Sequence, residues 1–375
     1  MPRVVVVGAG IGGLCGARAV ALAGHEAVVL ERSPAGAAIG AGLLLWPNAV
    51  HALDALGLGG ALREIAAPAR RAVMRTDAGR VLSVLDVDAL GRRAGAPMLV
   101  VERPVLHQVL ADGVPVRYDV SVSAADERGV SVAEGERVDA DAVIGADGIG
   151  SVVREHVCPG TRPIDSGYTV VRGIADHDIG PGETFESWGR GELVGGAALP
   201  EGRSYWFYEA PTSAVDERDP LAAVGSERWP APTPAQLAAT PPEAVLVNRI
   251  LRLDALPTWT RGPVALLGDA AHAMEPNLGQ GAAQAVEDAQ ALLAALRAER
   301  ELPAALAGYA AARRRRAHML QRESTRFARL ALSRRTGPRD ALVRFVPGAM
   351  RRRGMERLMR GHAPDGARSL VASTR

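Results

Sequence analysis

The chain has 375 residues, 47% apolar and 23% charged, a composition ordinary for a soluble globular protein that excludes a disordered chain or a coiled coil. Net charge is only +2, and no lysine occurs anywhere, so all 44 basic residues are arginine. Lysine Schiff-base chemistry, a Walker-type phosphate lysine and a lysine proton donor are therefore excluded, and the charge gives no argument for a nucleic-acid partner.

In chain order, Val4–Val7 reads as a buried parallel strand, followed by the turn Gly8-Ala9-Gly10-Ile11-Gly12-Gly13 and an Ala/Leu-rich helix to about Ala23. Ala27–Leu30 is the next strand, and it closes on Glu31-Arg32. A helix is expected near Pro47–Leu56, a hairpin around Asp77-Ala78-Gly79, and a short helix over Arg103–Leu110. Asp141–Ile144 is a strand running into Gly145-Ala146-Asp147-Gly148. Alternation from Tyr168 to Glu209 predicts an antiparallel sheet, Pro211–Pro242 is loop-rich, and Pro263–Leu267 is a further buried strand before Gly268-Asp269. A long helix follows from about Gly279 to Glu299, and the remainder is helical and arginine-rich. The runs Arg313 to Arg316 and Arg351 to Arg353 read as solvated helix faces. Two cysteines, Cys15 and Cys158, without metal-ligand spacing, suit a reducing cytoplasm and no metal site. No signal peptide and no bilayer span are expected: the longest stretch free of Asp, Glu and Arg, Ser33 to Leu53, is interrupted by Pro34, Pro47, Asn48 and His51.

Gly8-x-Gly10-x-x-Gly13 between a strand and a helix lets backbone lie against a pyrophosphate, where the helix N-terminus offers free N–H donors and a positive dipole. Glu31, 18 residues beyond Gly13, is placed to accept ribose hydroxyls, with Arg32 beside it. Two further motifs follow, Asp141 to Arg154 around Gly145-Ala146-Asp147-Gly148, and Gly268-Asp269-Ala270-Ala271-His272-Ala273-Met274-Glu275-Pro276-Asn277-Leu278-Gly279-Gln280-Gly281. With these three signatures in order, the chain resembles the class A FAD-dependent aromatic monooxygenases, relatives of salicylate hydroxylase and kynurenine monooxygenase.

The resemblance implies a Rossmann-like α/β FAD-binding domain with a discontinuous substrate domain built on an antiparallel sheet, plus C-terminal helices. It implies that Gly8, Gly10, Ile11, Gly13, Glu31 and Arg32 surround the ADP half of FAD, and that Arg103 reaches its phosphates. Asp147 and Gly148 match a motif tied to FAD and the pyridine nucleotide. Gly268 and Asp269 would meet the ribityl–phosphate region, and Pro276, Gly279, Gln280 and Gly281 the isoalloxazine. Ala283 departs from the family, where many members carry Asn. His272 reads as a residue packed behind the loop. NADH or NADPH would be a transient co-substrate, since no second glycine fingerprint exists, and O2 would supply one atom to the substrate through a C4a-hydroperoxyflavin in a dry site.

Six of the aromatics lie between Phe185 and Tyr208. Arg172 and Tyr205 are the candidate catalytic residues, and Leu44, Trp46, Phe207, Tyr208 and Pro276 the candidate substrate contacts. The expected division is 1–69, 98–163 and 256–300 for FAD, 70–97 and 164–255 for substrate, and 301–375 as a helical region. The expected partner is a small aromatic molecule, with the chain a monomer or homodimer. Competing readings are an epoxidase or oxidative decarboxylase on the same fold and a non-catalytic flavin-binding redox protein. A flavin halogenase would need an active lysine, and none is present.

Overall fold

Val4–Val7 is buried on both faces because its strand, Arg3–Val7, lies inside a parallel sheet. That six-stranded sheet runs Thr260–Arg261, Val264–Leu266, Ala142–Gly145, Arg3–Val7, Glu26–Leu30, Val116–Arg117, parallel except for its first pairing. The computed structural model describes residues 1–36, 40–133, 135–359 and 361; the expectation for residues 362–375 lies outside the described residues. Helices Ile11–Leu22 and Gly281–Ala298 pack together against the sheet, and Gly12 is what permits it: a Cβ there would come within 2.8 Å of Leu267. The parallel strands all point the same way. Consequently Gly8, Glu31, Ala146 and Gly268, each following a different strand, gather at one carboxyl edge.

A second sheet has seven strands, in the order Leu246–Arg252, Ile164–Ala175, Ser204–Pro211, Leu193–Ala198, Glu183–Trp188, Arg71–Thr76, Val81–Asp86. The expected antiparallel pattern holds at every pairing but one, because Glu183–Trp188 runs parallel to Arg71–Thr76 and so joins the hairpin to the later strands. Smaller three-stranded sheets, Gly42–Leu45 with Met98–Glu102 and Ala67–Ala69, and Val122–Asp126 with Gly129–Val132 and Arg137–Asp139, complete the strands.

The C-terminal helices are Leu302–Ala331, Thr336–Phe345 and Gly348–Met359. The first corrects the expectation for its arginine run. Arg313 has no exposed side-chain surface, and Arg316 is turned inward with it, one helical turn on. Arg313 Nε donates to Asp288 at 2.8 Å and its Nη2 to Gln284 Oε1 at 2.6 Å, while Nη1 pairs with Glu287. Among the described residues no helix is long and apolar enough to cross a membrane.

Candidate functional site

The glycine turn is shaped by close contacts. Gly8 has φ +98°, and a Cβ there would sit 2.6 Å from the Ala146 carbonyl oxygen; a Cβ on Gly13 would sit 1.8 Å from that of Gly8. Gly10 differs, because a Cβ on it would meet nothing within 4 Å. The turn is thus closed behind Gly8 and Gly13 and open at Gly10, just ahead of the helix that begins at Ile11. Glu31 accepts the N–H groups of Ala9 (2.7 Å) and Ser33 (2.8 Å). Partial burial works to raise its carboxyl, but these two donors outweigh it and hold it ionised below the usual range. Arg32 is exposed beside it.

Asp147 Oδ2 accepts from Val152 N (2.7 Å) and Val153 N (3.3 Å), capping the short helix Val153–Val157, while its Oδ1 is buried without a partner. Burial raises this carboxyl against those donors. Gly148 has φ +75° with open space at its Cβ position. Gly268, at φ +63°, ψ −139°, adopts a conformation almost reserved for glycine, and its N–H donates to Asp288 Oδ2 at 3.0 Å. That turn leaves Asp269 exposed at the start of the following helix. His272 is fully buried, its Nε2 2.6 Å from the same Asp288 oxygen, so it packs behind the loop as expected.

Arg103 is half-buried, with Gly40 packed on its methylenes, and forms none of the ion pairs among the described residues. Burial and Arg172 both lower its pKa, and Asp269 raises it. A cationic group thus stands near Asp269 with no ion-pair partner among the described residues. Open Cβ positions, an unpaired arginine and an orphaned buried carboxylate oxygen together fit a dinucleotide with a pyrophosphate and ribose hydroxyls.

Beside this edge lies a cavity of about 640 Å³, between the seven-stranded sheet, the loop at Asn277–Leu278 and the C-terminal helices. Leu44, Trp46, Tyr205 and Phe207 line it, and the last two stack with ring centroids 5.8 Å apart. Tyr208 does not, which corrects its assignment as a substrate contact. Successive strand residues face opposite ways, so Trp206 and Tyr208 point to the other side of the sheet, where Trp206 donates to Thr240 Oγ1 (2.8 Å) and Tyr208 to Glu192 (2.6 Å). Arg172 shares the face of Phe207 but is not among the cavity-lining residues either; its Nη2 donates to Asn248 Oδ1 at 2.8 Å, and the guanidinium lies near Tyr205 and Arg103. This corrects Arg172 as an anchor inside the substrate cavity. Tyr205 is pushed up to about 12 by burial, with Arg172 opposing, so its phenol keeps its proton. Pro276 is exposed and, unlike Asn277 and Leu278 after it, is not among the cavity-lining residues, which corrects it as a substrate contact; Gly279 takes φ +61° next to the Trp46 indole, and Gly281 opens the helix with free space at its Cβ position. Gln280 is buried with its Nε2 unpartnered. Ala283, fully buried, offers no side-chain hydrogen bond to that loop.

Sequence reasoning missed the acidic floor. Glu186 lines the cavity, and Glu209 accepts from Asn277 Nδ2 at 2.6 Å. Burial pushes Glu209 up to about 8, Asn277 opposes this, and Glu186 and Glu275 add to it. Strand alternation placed both glutamates on the face of Phe207, but an acid inside an apolar face carries no periodic signature. The folded chain retains the Glu209 proton to about pH 8, whereas the unfolded chain releases it in the ordinary carboxyl range; stability is therefore lost as pH rises from that range to about 8. Glu209→Gln keeps an acceptor for Asn277 and removes that slope. It is expected to match wild type near pH 5 and exceed it at pH 8 by on the order of a few kcal/mol, measured by denaturant titration. An unchanged pH slope would contradict this ionisation.

Comparison with known proteins agrees with this geometry. Residues 1–324 match the family model described as FAD binding domain. The chain is 36% identical over 328 residues to an aurachin C monooxygenase/isomerase from Stigmatella aurantiaca, covering 84% of this chain and 86% of that protein. The chain belongs to the class A FAD-dependent aromatic monooxygenases. A 2-heptyl-3-hydroxy-4(1H)-quinolone synthase from Pseudomonas aeruginosa is 33% identical to the monooxygenase over 377 residues, covering 96% and 98% of the two chains. The crystal structure of Klebsiella pneumoniae HpxO with FAD and uric acid superposes at TM-score 0.88, with 28% identity and 96% of each chain covered. The monooxygenase is thus a flavoprotein hydroxylase: FAD is its cofactor, NAD(P)H its reductant and O2 its oxidant. The reading as a redox protein without turnover is not favoured.

Proposed function

We propose that this monooxygenase hydroxylates a fused or substituted aromatic ring carrying an apolar tail, with the large cavity as the observation that carries the reading. Its walls, including Met98, Val100, Phe327 and Met355, offer a tail far more hydrocarbon than polar contact. The relatives named for an aurachin and for a heptyl-substituted quinolone support the same class.

When bound, FAD takes hydride from NAD(P)H and activates O2 for transfer of one oxygen atom to the ring. The residues of this chain do the rest. Gly8, Gly10, Ile11, Gly13 and Glu31 hold the adenosine half, with Arg32 at the rim. Arg103, Gly148, Gly268 and Asp269 hold the phosphates and the ribityl chain, with Asp147 shaping its turn. Arg172 adds positive charge on this side, and Tyr205 separates it from the cavity. Gln280 and Gly281 present backbone N–H donors and the N-terminus of Gly281–Ala298 to the flavin ring, where they stabilise negative charge, while Pro276 and Gly279 shape the loop, the Gly279 N–H donating to the Pro276 carbonyl (2.7 Å). Leu44, Trp46 and Phe207 seat the substrate and exclude water. In this reading residues 1–69, 98–163 and 256–300 serve the cofactor, and 70–97 with 164–255 the substrate. Cys15 and Cys158 are free and buried, which suits a cytoplasmic enzyme, monomer or homodimer.

A series of bicyclic aromatics with lengthening alkyl chains tests the proposal. Each buried methylene is worth about 0.8 kcal/mol, so KM is expected to fall about fourfold per methylene until the cavity is filled. NAD(P)H consumption should rise with substrate and give a product heavier by one oxygen atom. A KM indifferent to chain length would sink the proposal.

A further inference from the structure

Glu186 stands out among the groups around the cavity. It sits mid-strand in Glu183–Trp188, opposite Gly195 on one neighbour and Met74 on the other, and what surface it shows faces the cavity. Its Oε2 accepts from Trp188 Nε1 at 2.9 Å; among the described residues no hydrogen bond reaches Oε1 and no ion pair includes this carboxylate. The tryptophan alone does not require an acid, since a glutamine would satisfy it equally. Burial raises the Glu186 carboxyl, with the Trp188 hydrogen bond opposing. An acid retained at such a cost, with one oxygen open to an apolar cavity, needs a donor that the chain itself does not provide.

We infer that Glu186 is a specificity-determining residue whose open carboxylate oxygen accepts a hydrogen bond from a ring-borne N–H or O–H of the substrate. The inference rests on the apolar-aromatic reading above and adds a polar handle to it. The donor fixes which edge of the ring faces the sheet and leaves the opposite edge toward Asn277 and Leu278, on the loop that also opens onto the cavity.

The test uses the FAD-loaded enzyme and flavin absorbance changes on binding two matched pairs: an alkylindole with its N-methyl form, and an alkylnaphthol with its methyl ether. Wild type is expected to prefer the unmethylated member of at least one pair by about 30-fold, since hydrogen bonds to charged groups are the strong ones. The pair that discriminates identifies the donor. Glu186→Gln, which keeps an acceptor for Trp188, should reduce that preference to about threefold or less while binding the methylated compounds as wild type does. Equal binding within both pairs overturns the inference and leaves the apolar-tail reading standing. Loss of all four ligands in Glu186→Gln also overturns it, by making Glu186 a structural residue. Failure of all four to bind wild type overturns both.

Discussion

Gly13→Ala is expected to emerge from purification nearly free of flavin. The new methyl would lie 1.8 Å from the Gly8 carbonyl oxygen, and Gly8 cannot retreat, because its own Cα position is held against Ala146. Strand Arg3–Val7 and helix Ile11–Leu22 must then move apart, which costs about 3 kcal/mol and weakens FAD binding roughly 100-fold. Gly10→Ala separates folding from binding at the same motif. Its methyl meets nothing within 4 Å in the folded chain, so the melting temperature of the flavin-free protein should be unchanged. In the proposed site the methyl nevertheless enters the space assigned to the pyrophosphate, and FAD binding should fall by a comparable factor. The ratio of flavin absorbance to protein absorbance in the purified protein reads both variants. A fully flavin-loaded Gly10→Ala protein would show that the phosphates lie elsewhere.

Arg313→Met is expected to be the most destabilising single change in the C-terminal half. Arg313 neutralises Glu287 and Asp288, and none of the three has exposed side-chain surface. Burial opposes ionisation of both acids; Arg313 with Arg316 holds Glu287 low, and His272 with Arg313 holds Asp288 low. Methionine fills much of the volume but leaves two buried carboxylates without their shared cation, at a cost of about 3–5 kcal/mol. The damage should also reach the cofactor, since Asp288 fixes both the Gly268 N–H and His272. The expected result is a lower denaturant midpoint together with faster FAD loss on dilution. A variant with wild-type stability would show that the acids simply take up protons at little cost.

The glycine turns were legible because their determinants are local. A glycine that must adopt positive φ, or lie against another strand, is visible as a glycine, and Gly8, Gly13 and Gly268 each meet such a demand. The substrate half depends on which way a side chain points. Alternation along Ser204–Pro211 already separated Tyr205 and Phe207 from Trp206 and Tyr208, and choosing Phe207 and Tyr208 together ignored that neighbours on a strand cannot share a cavity. Arg313 was illegible for another reason. Four consecutive arginines look like a surface, and the carboxylates that draw one inside lie on a different helix, Gly281–Ala298. Glu186 and Glu209 were missed because an acid inside an apolar face breaks the very pattern used to find that face.

The cavity wall and the family boundary do not coincide. The FAD binding domain match ends at residue 324, whereas Phe327, Val343, Val346, Met350 and Met355 beyond it all line the cavity. The wall is fastened by polar contacts, Arg351 to Ser83 Oγ and Arg316 Nη2 to the Leu358 carbonyl (2.9 Å). Part of the chamber wall is therefore encoded outside the stretch that matches the FAD binding domain, although Leu44, Trp46, Glu186 and Phe207 lie within it. Substitutions after residue 324 can therefore reshape part of the chamber while the glycine turns, Arg103 and Asp269 stay untouched.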